Sequence, residues 1–254
     1  MKTILEYVML SAIRDKLLLG LFVAIIAIFG VSNLIGFTAT SEETLMQAVI
    51  FGGTVRLLLV FGMIIFICFH INRSYENKEI SFMLSKNITR EKFILSYWIS
   101  FNLISISLLL FFLVIFLLFC NSNLLGTLQW VLSVQCEIMM ITMFSIIASF
   151  ILQSAVFSVF LSSGFYIISR MMGFFINVSL ISGDSKIYNF FLTLSQYLSK
   201  IISSLIPRLD LFGQTKWLIY GPDISLFRIV LIQSTIYTLI MFMMAFYDFK
   251  KKQF

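Results

Sequence analysis

Six long apolar runs divide this chain, and each is long enough to cross a membrane. A helix needs about 20 apolar residues to cross a hydrocarbon layer about 30 Å thick. Of the 254 residues, 60% are hydrophobic and only 12% are charged, so lipid must cover most of the apolar surface. The sequence therefore predicts an all-α integral membrane protein with six transmembrane helices in a single domain, residues 1–254. The runs occupy residues 17–37, 49–71, 93–120, 128–152, 155–176 and 226–247.

The basic residues predict how these helices are oriented, because cytoplasmic loops collect Lys and Arg. Residues 72–92 form the most charged stretch of the chain, and three lysines at 250–252 follow the sixth run. The loop at 38–47 contains no Lys or Arg. We therefore expect both termini to be cytoplasmic. The same distribution accounts for the net charge of +6 by topology, so no nucleic-acid partner is predicted.

Two further segments have the periodicity of amphipathic helices. Apolar residues recur at helical spacing over residues 1–16, which predicts an N-terminal interfacial helix. Residues 185–205 show a similar pattern, which Pro207 ends. Residues 208–223 are mixed polar and aromatic, with Gly and Pro as breakers. We predict that 185–223 is an outer amphipathic segment before the last helix, either interfacial or re-entrant.

Three ionisable residues fall well inside the apolar runs, away from their ends: Arg56, Glu137 and Arg170. A charge at the centre of a bilayer costs about 3 kcal/mol or more unless it is paired or hydrated. Counted from the outer ends of the runs, the depths are roughly 9 Å for both arginines and roughly 15 Å for Glu137, so Glu137 is expected to reach one of them. Two roles remain open for this intramembrane charged cluster, namely a salt bridge that fixes helix packing and a charged lining for a substrate or an anionic headgroup.

No motif for catalysis, nucleotide binding or metal binding is present. The chain lacks G-x-x-x-x-G-K-[ST], H-E-x-x-H and G-x-S-x-G, and His70 is its only histidine. We therefore predict no catalytic residue, no cofactor site and no metal site, and we expect that the chain is not an enzyme. His70 is interpreted as an interfacial polar residue, and Trp98, Trp130 and Trp217 as anchors at the membrane surfaces.

The loop between the second and third runs has the sharpest local pattern. A helix beginning near Ser74 and lying across the membrane surface would present an apolar stripe on one side. Glu76 and Glu79 would then remain available to a partner. The residues singled out in this predicted coupling helix and at its flanks are Arg73, Glu76, Glu79, Ile80, Leu84, Ser85 and Arg90.

This loop resembles the cytoplasmic loop of the ABC-2 type permease family. In that family an acidic residue precedes a short apolar helix ending in Leu-Leu-Ser or similar, and after a small gap an Arg opens the third helix. The order of interfacial helix, six spans and outer segment also resembles that family. The chain departs from it at Ile80 and Ser81, where Gly and Thr are frequent, and at Asn87, where Pro is. The matching residues are Glu76, Glu79, Ile80, Leu84, Ser85, Arg90 and Phe93.

The resemblance implies the permease subunit of an ATP-driven exporter in a bacterial inner membrane. Its loop helix would dock on a separate ABC ATPase subunit, which would hold ATP and Mg, so no cofactor is expected on this chain. The expected partners are that ATPase, a second permease copy in a homodimer, and membrane lipids. Other classes remain open: an intramembrane enzyme, a secondary transporter, or a membrane assembly factor without an ATPase partner.

Overall fold

The computed structural model describes residues 2–14, 16–38, 43–80, 89–120, 123–178 and 206–251. Throughout this part of the chain the regular structure is helical. Six of the helices, α2 to α6 and α8, are long and apolar enough to cross a membrane, which confirms the six predicted spans. The helices are α1 (Lys2–Arg14), α2 (Leu17–Gly36), α3 (Glu43–Glu76), α4 (Arg90–Phe119), α5 (Leu124–Leu152), α6 (Ala155–Val178), α7 (Lys216–Tyr220) and α8 (Ile224–Lys251).

Several of these helices extend beyond the apolar runs from which they were predicted. Helix α3 begins at Glu43 and continues to Glu76, because hydropathy marks only the apolar centre of a helix and not its polar ends. At the start of α5, the side chain of Asn123 accepts a hydrogen bond from the Leu125 amide at 3.1 Å, which caps the helix. Gln153 ends α5 in the left-handed conformation, and α6 begins two residues later at Ala155.

Helix α5 lies at the centre of the bundle and contacts α3, α4, α6, α7 and α8. Its buried side chains include many small polar residues, among them Ser133, Thr142 and Ser149. Small residues permit close approach between membrane helices. A polar network also joins α4 to α5, in which Gln135 donates to Asn102 at 3.1 Å and Ser105 donates to Gln135 at 3.0 Å.

Helix α1 packs on α4 and α2 through one apolar face. Ile4, Val8 and Ala12 are buried there, whereas Leu10 and Ile13 are exposed. Its position on a membrane surface stays a prediction. His70 lies beneath this helix, surrounded by the rings of Tyr7, Phe66, Tyr97 and Phe101, and is 5% exposed. Tyr7 and Ser11 of α1 lie against His70, and its interfacial position stays a prediction.

Helix α3 continues past the predicted start of the coupling helix. Helix α3 runs through Ser74 to Glu76, and the break comes at Lys78, which has a φ of 56°. The chain is helical again at residues 79–80. The predicted start near Ser74 is therefore wrong, because Ser74 is buried inside the longer α3. Leu84 and Ser85 lie outside the described residues.

Residues 206–223, which we call the inserted segment, pack partly inside the bundle, while Lys216 and Tyr220 stay exposed. A 3-10 turn at Leu209–Leu211 contacts α6, and α7 contacts α3 and α5. Leu209, Phe212, Trp217 and Leu218 are almost fully buried. The choice between an interfacial and a re-entrant position in the membrane stays open for this part of the predicted outer segment. Residues 185–205 lie outside the described residues.

Candidate functional site

The structure brings Arg56 and Glu137 into direct contact. The Arg56 Nε and Nη2 atoms donate to the two carboxylate oxygens at 2.7 and 2.6 Å, and the two side chains are 3% and 0% exposed. The residues lie equally far along their helices, since α3 begins at Glu43 and α5 at Leu124. The predicted difference in depth is therefore wrong, because both helices begin before their apolar runs.

Gly213 fixes the inserted segment against this pair. Its carbonyl oxygen accepts from Arg56 Nη1 at 3.0 Å and from Trp130 Nε1 at 3.1 Å, and its amide donates to Ser133 Oγ at 2.9 Å. Its φ of 49° is left-handed, and a Cβ here would press on Val134 and on the Arg56 guanidinium. Only glycine meets both requirements without strain.

Two of the tryptophans do not reach a membrane surface. Trp130 and Trp217 are 0% and 1% exposed, and Trp130 also packs against the ring of Phe112 at 4.9 Å. Their prediction as surface anchors is therefore wrong. Nearness to the end of an apolar run gave no sign that the inserted segment would cover them.

Arg170 on α6 does not pair with Glu137. Its Nη1 donates to two carbonyl oxygens of the inserted segment, those of Leu209 at 2.5 Å and Phe212 at 3.1 Å. The Leu209 carbonyl also accepts from Arg56 Nη2 at 3.4 Å. The three residues of the predicted intramembrane cluster therefore meet at the inserted segment, where two guanidinium groups share one carbonyl oxygen.

A cavity of about 600 Å³ opens beside this cluster, between α3, α6 and the inserted segment. Arg56, Arg170, Lys216 and Asp210 contribute its charged walls. The volume falls within the range of about 300–1,000 Å³ that is typical of small-molecule sites. Sequence reasoning found the two arginines but not the wall that the inserted segment supplies.

The acids of the inserted segment have partners of their own. Asp210 accepts from Arg208 Nη2 at 2.9 Å, and Asp223 lies 3.9 Å from the Lys216 ammonium. Hydrogen bonds from the Ser225 hydroxyl and the Leu226 amide lower the pKa of Asp223, and Lys216 lowers it further. Within the described ranges, no three His, Cys, Asp or Glu side chains are grouped so that they could hold a metal ion.

The described residues of the predicted coupling loop lie at the end of the bundle opposite the inserted segment. Arg73 and Glu76 are exposed there, and Ile80 is buried. Glu79 is engaged within the chain: the Tyr7 hydroxyl donates to it, and so does the Asn77 amide, at 3.4 Å. Glu79 is therefore in contact with α1, and its availability to a partner stays a prediction.

Arg90 and Tyr7 tie this loop to other parts of the bundle. Arg90 Nη1 donates to the Phe249 carbonyl near the end of α8 at 2.6 Å. Tyr7 is half-buried in α1, and burial raises the pKa of its hydroxyl, as does the neighbouring Glu79 carboxylate. Both ends of the loop are thus joined to helices that come from the two ends of the chain.

Comparison with known proteins identifies no relative. No protein-family model, no curated protein and no solved structure matches the chain. The resemblance to ABC-2 type permeases therefore stays a prediction.

Proposed function

We propose that this multi-pass chain is the membrane subunit of an ATP-driven ABC-2 type transporter. In this proposal it works as an exporter in a bacterial inner membrane, with both termini in the cytoplasm. It pairs with a second copy of itself and takes its energy from a separate ATPase chain that binds ATP and Mg. The sequence pattern of the loop between α3 and α4 is the origin of the proposal, and the six apolar helices are compatible with it.

The observation that best supports the proposal is how this loop is attached. Glu79 accepts the hydrogen bond from Tyr7 of α1, and Arg90 donates to the carbonyl of Phe249 on α8. A displacement of the loop would therefore act on α1 and α8 as well as on α3 and α4. A segment that receives force from a partner needs such attachments, because otherwise it would move without moving the helices.

The same end of the bundle also offers charged side chains to a partner. Arg73, Glu76 and Lys78 are exposed where α3 ends. Exposed charges at the rim of an interface set its specificity and rate of association more than its affinity. Substitution of Glu79 would also remove its hydrogen bond with Tyr7 of α1. Substitution of Glu76 leaves that hydrogen bond in place, so Glu76 is the residue to change in a test of docking.

The experiment begins with purification of the tagged full-length chain from its native membranes together with any bound ATPase. The complex is then reconstituted in nanodiscs, and its ATP hydrolysis is compared with that of the ATPase alone. We expect a P-loop ATPase to co-purify and its hydrolysis to depend on the permease. Glu76→Lys should move that rate towards the rate of the ATPase alone.

A matched control is Arg228→Glu, which reverses an exposed charge on α8 at the opposite end of the bundle. This variant should keep the wild-type rate. The proposal fails if no ATPase co-purifies with the folded chain. It also fails if Glu76→Lys leaves the hydrolysis unchanged, or if both variants reduce it equally.

A further inference from the structure

We propose that the cavity between α3, α6 and the inserted segment binds the phosphate head of an anionic lipid. Ligand binding here would be a property of this chain alone. It does not depend on an ATPase partner or on transport. The inference depends on the balance of charge around the cavity, on the Arg170 donors that no described residue uses, and on the exposed apolar residues near the cavity.

The charges around the cavity do not cancel. Arg56 is neutralised by Glu137, and Arg208 is paired with Asp210. No carboxylate among the described residues pairs with Arg170, whose partners are carbonyl oxygens. One positive charge therefore remains on a side chain that lies inside a candidate span. An isolated charge at such a position is costly, and an anionic ligand would offset that cost.

Arg170 also has hydrogen-bond donors to spare. Both of its bonds to the inserted segment come from Nη1, so Nε and Nη2 donate to nothing among the described residues. Nε and Nη2 point the same way in a guanidinium group, and this edge matches two oxygens of a phosphate. Arg56, by contrast, uses all three of its nitrogens within the protein. Arg56 therefore holds the inserted segment against α3 and α5, and it has no pair of nitrogens left to bind a phosphate.

Lys216 supplies a second, more mobile cation. It lines the cavity from the first turn of α7 and is about half exposed. Its nearest acid, Asp223, is 3.9 Å away, a distance beyond ordinary hydrogen bonding. A lysine held this loosely can turn towards a phosphate in the cavity without breaking a strong ion pair.

The residues around the cavity favour a lipid over a free anion. Val49 and Leu57 line it and are exposed, and Met171 and Phe174 are exposed on the neighbouring turns of α6. An anion from solution gains nothing from these apolar side chains. An acyl chain does, because its head can reach Arg170 while its tail lies along α3 and α6.

Native mass spectrometry of the purified full-length chain tests the assignment. The protein is titrated with phosphatidylglycerol, with phosphatidylcholine as the zwitterionic comparison and with inorganic phosphate as a competitor. We expect phosphatidylglycerol to bind more tightly than phosphatidylcholine. Arg170→Gln should weaken phosphatidylglycerol binding about tenfold, which is the effect of losing one charge-assisted contact.

Three variants accompany that substitution. Arg170→Lys keeps the charge without the two-nitrogen edge and should be intermediate. Lys216→Gln should also weaken phosphatidylglycerol binding. Because the Lys216 side chain is about half exposed, this loss would not reflect misfolding. Arg228→Gln removes an exposed cation of α8 that does not line the cavity, and it should bind as wild type.

The outcomes separate the sources of the phosphate. In one outcome, inorganic phosphate displaces phosphatidylglycerol and binds as tightly as the lipid does. That result would support an oxyanion site in the cavity but would assign it to an anion from solution. Two results would overturn the proposal. One is equal binding of the two lipids by the wild-type chain, and the other is phosphatidylglycerol binding that Arg170→Gln and Lys216→Gln leave unchanged.

Discussion

Arg56 on α3 and Glu137 on α5 form a two-point ion pair inside the bundle, with N–O distances of 2.7 and 2.6 Å. The third nitrogen of Arg56 donates to the carbonyl of Gly213 at 3.0 Å. The pair therefore joins two helices and the inserted segment at one point. Its strength depends on both partners, because either charge alone would be buried without compensation.

Removal of the acid should expose this dependence. Glu137→Gln leaves the Arg56 charge buried, and we expect it to lower the free energy of unfolding by about 3–5 kcal/mol. Arg208→Gln breaks a partly exposed pair with Asp210 and should cost about 1 kcal/mol or less. Thermal unfolding in detergent measures both. A Glu137→Gln protein as stable as wild type would contradict a structural role for the pair.

The contact between α5 and α7 depends on a glycine at position 126. A Cβ there would collide with the backbone carbonyl of Trp217 and approach the backbone of Gly221, and backbone atoms cannot move aside as a side chain can. We expect Gly126→Ala to destabilise the protein by about 1–3 kcal/mol. Gly164→Ala on α6 is the control, since a Cβ there meets nothing within 4 Å. Equal melting temperatures for the two variants would show that α7 does not pack against Gly126.

The six spans were predictable from the sequence because lipid imposes a simple rule on helix length and polarity. The same rule reveals little about where a helix ends. Hydropathy placed the start of the second span at residue 49, but the helix begins at Glu43, and this shift changed the depth assigned to Arg56. Helix ends depend on polar residues and caps that contribute nothing to an average over apolar residues.

The inserted segment was not predictable because no periodicity identifies it. Its residues contain Gly and Pro breakers between polar and aromatic side chains, a composition typical of surface loops. The sequence did contain one indication that a segment enters the bundle. Arg56 and Arg170 lie inside the spans, and Glu137 can neutralise only one of them. Arg170 needed acceptors in the membrane, and the carbonyls of Leu209 and Phe212 supply them. Leu209 and Phe212 lie in a 3-10 turn and at its C-terminal cap, outside any regular α-helix.

Asn102 and Gln135 offer a test of how much a polar network stabilises α4 against α5. Asn102 accepts from Gln135 at 3.1 Å and donates to the Trp98 carbonyl at 2.8 Å. Asn102→Leu leaves the Gln135 amide without this acceptor, so we expect a loss of about 1 kcal/mol. The double variant with Gln135→Leu should cost less than the sum of the two single changes.

Ser107→Ala is the control for this cycle. Its hydroxyl donates to the Ile104 carbonyl of the same helix, so its removal should change the melting temperature little. Strictly additive effects of the Asn102 and Gln135 substitutions would contradict the network. Thermal unfolding of the four proteins of the cycle, in one detergent, gives the comparison.

The hydrogen bond from Tyr7 to Glu79 should make the docking of α1 depend on pH at alkaline values. Burial, and then the Glu79 carboxylate, raise the pKa of Tyr7 above its ordinary value of about 10. A group whose pKa is raised by folding contributes its full stability below its unfolded pKa and loses it as pH rises through the folded pKa. Tyr7→Phe removes the contact and should cost about 1 kcal/mol at neutral pH.

The protection of α1 amides against hydrogen exchange, corrected for the intrinsic dependence of exchange on pH, measures this docking. Wild type should be better protected than Tyr7→Phe up to about pH 10, and the difference should disappear at higher pH, because a tyrosinate cannot donate to the carboxylate and repels it. Tyr220→Phe, on a side chain that is 84% exposed at the other end of the bundle, should match wild type throughout. Equal protection of wild type and Tyr7→Phe at every pH would show that ring packing on His70, and not the hydroxyl, holds α1 in place.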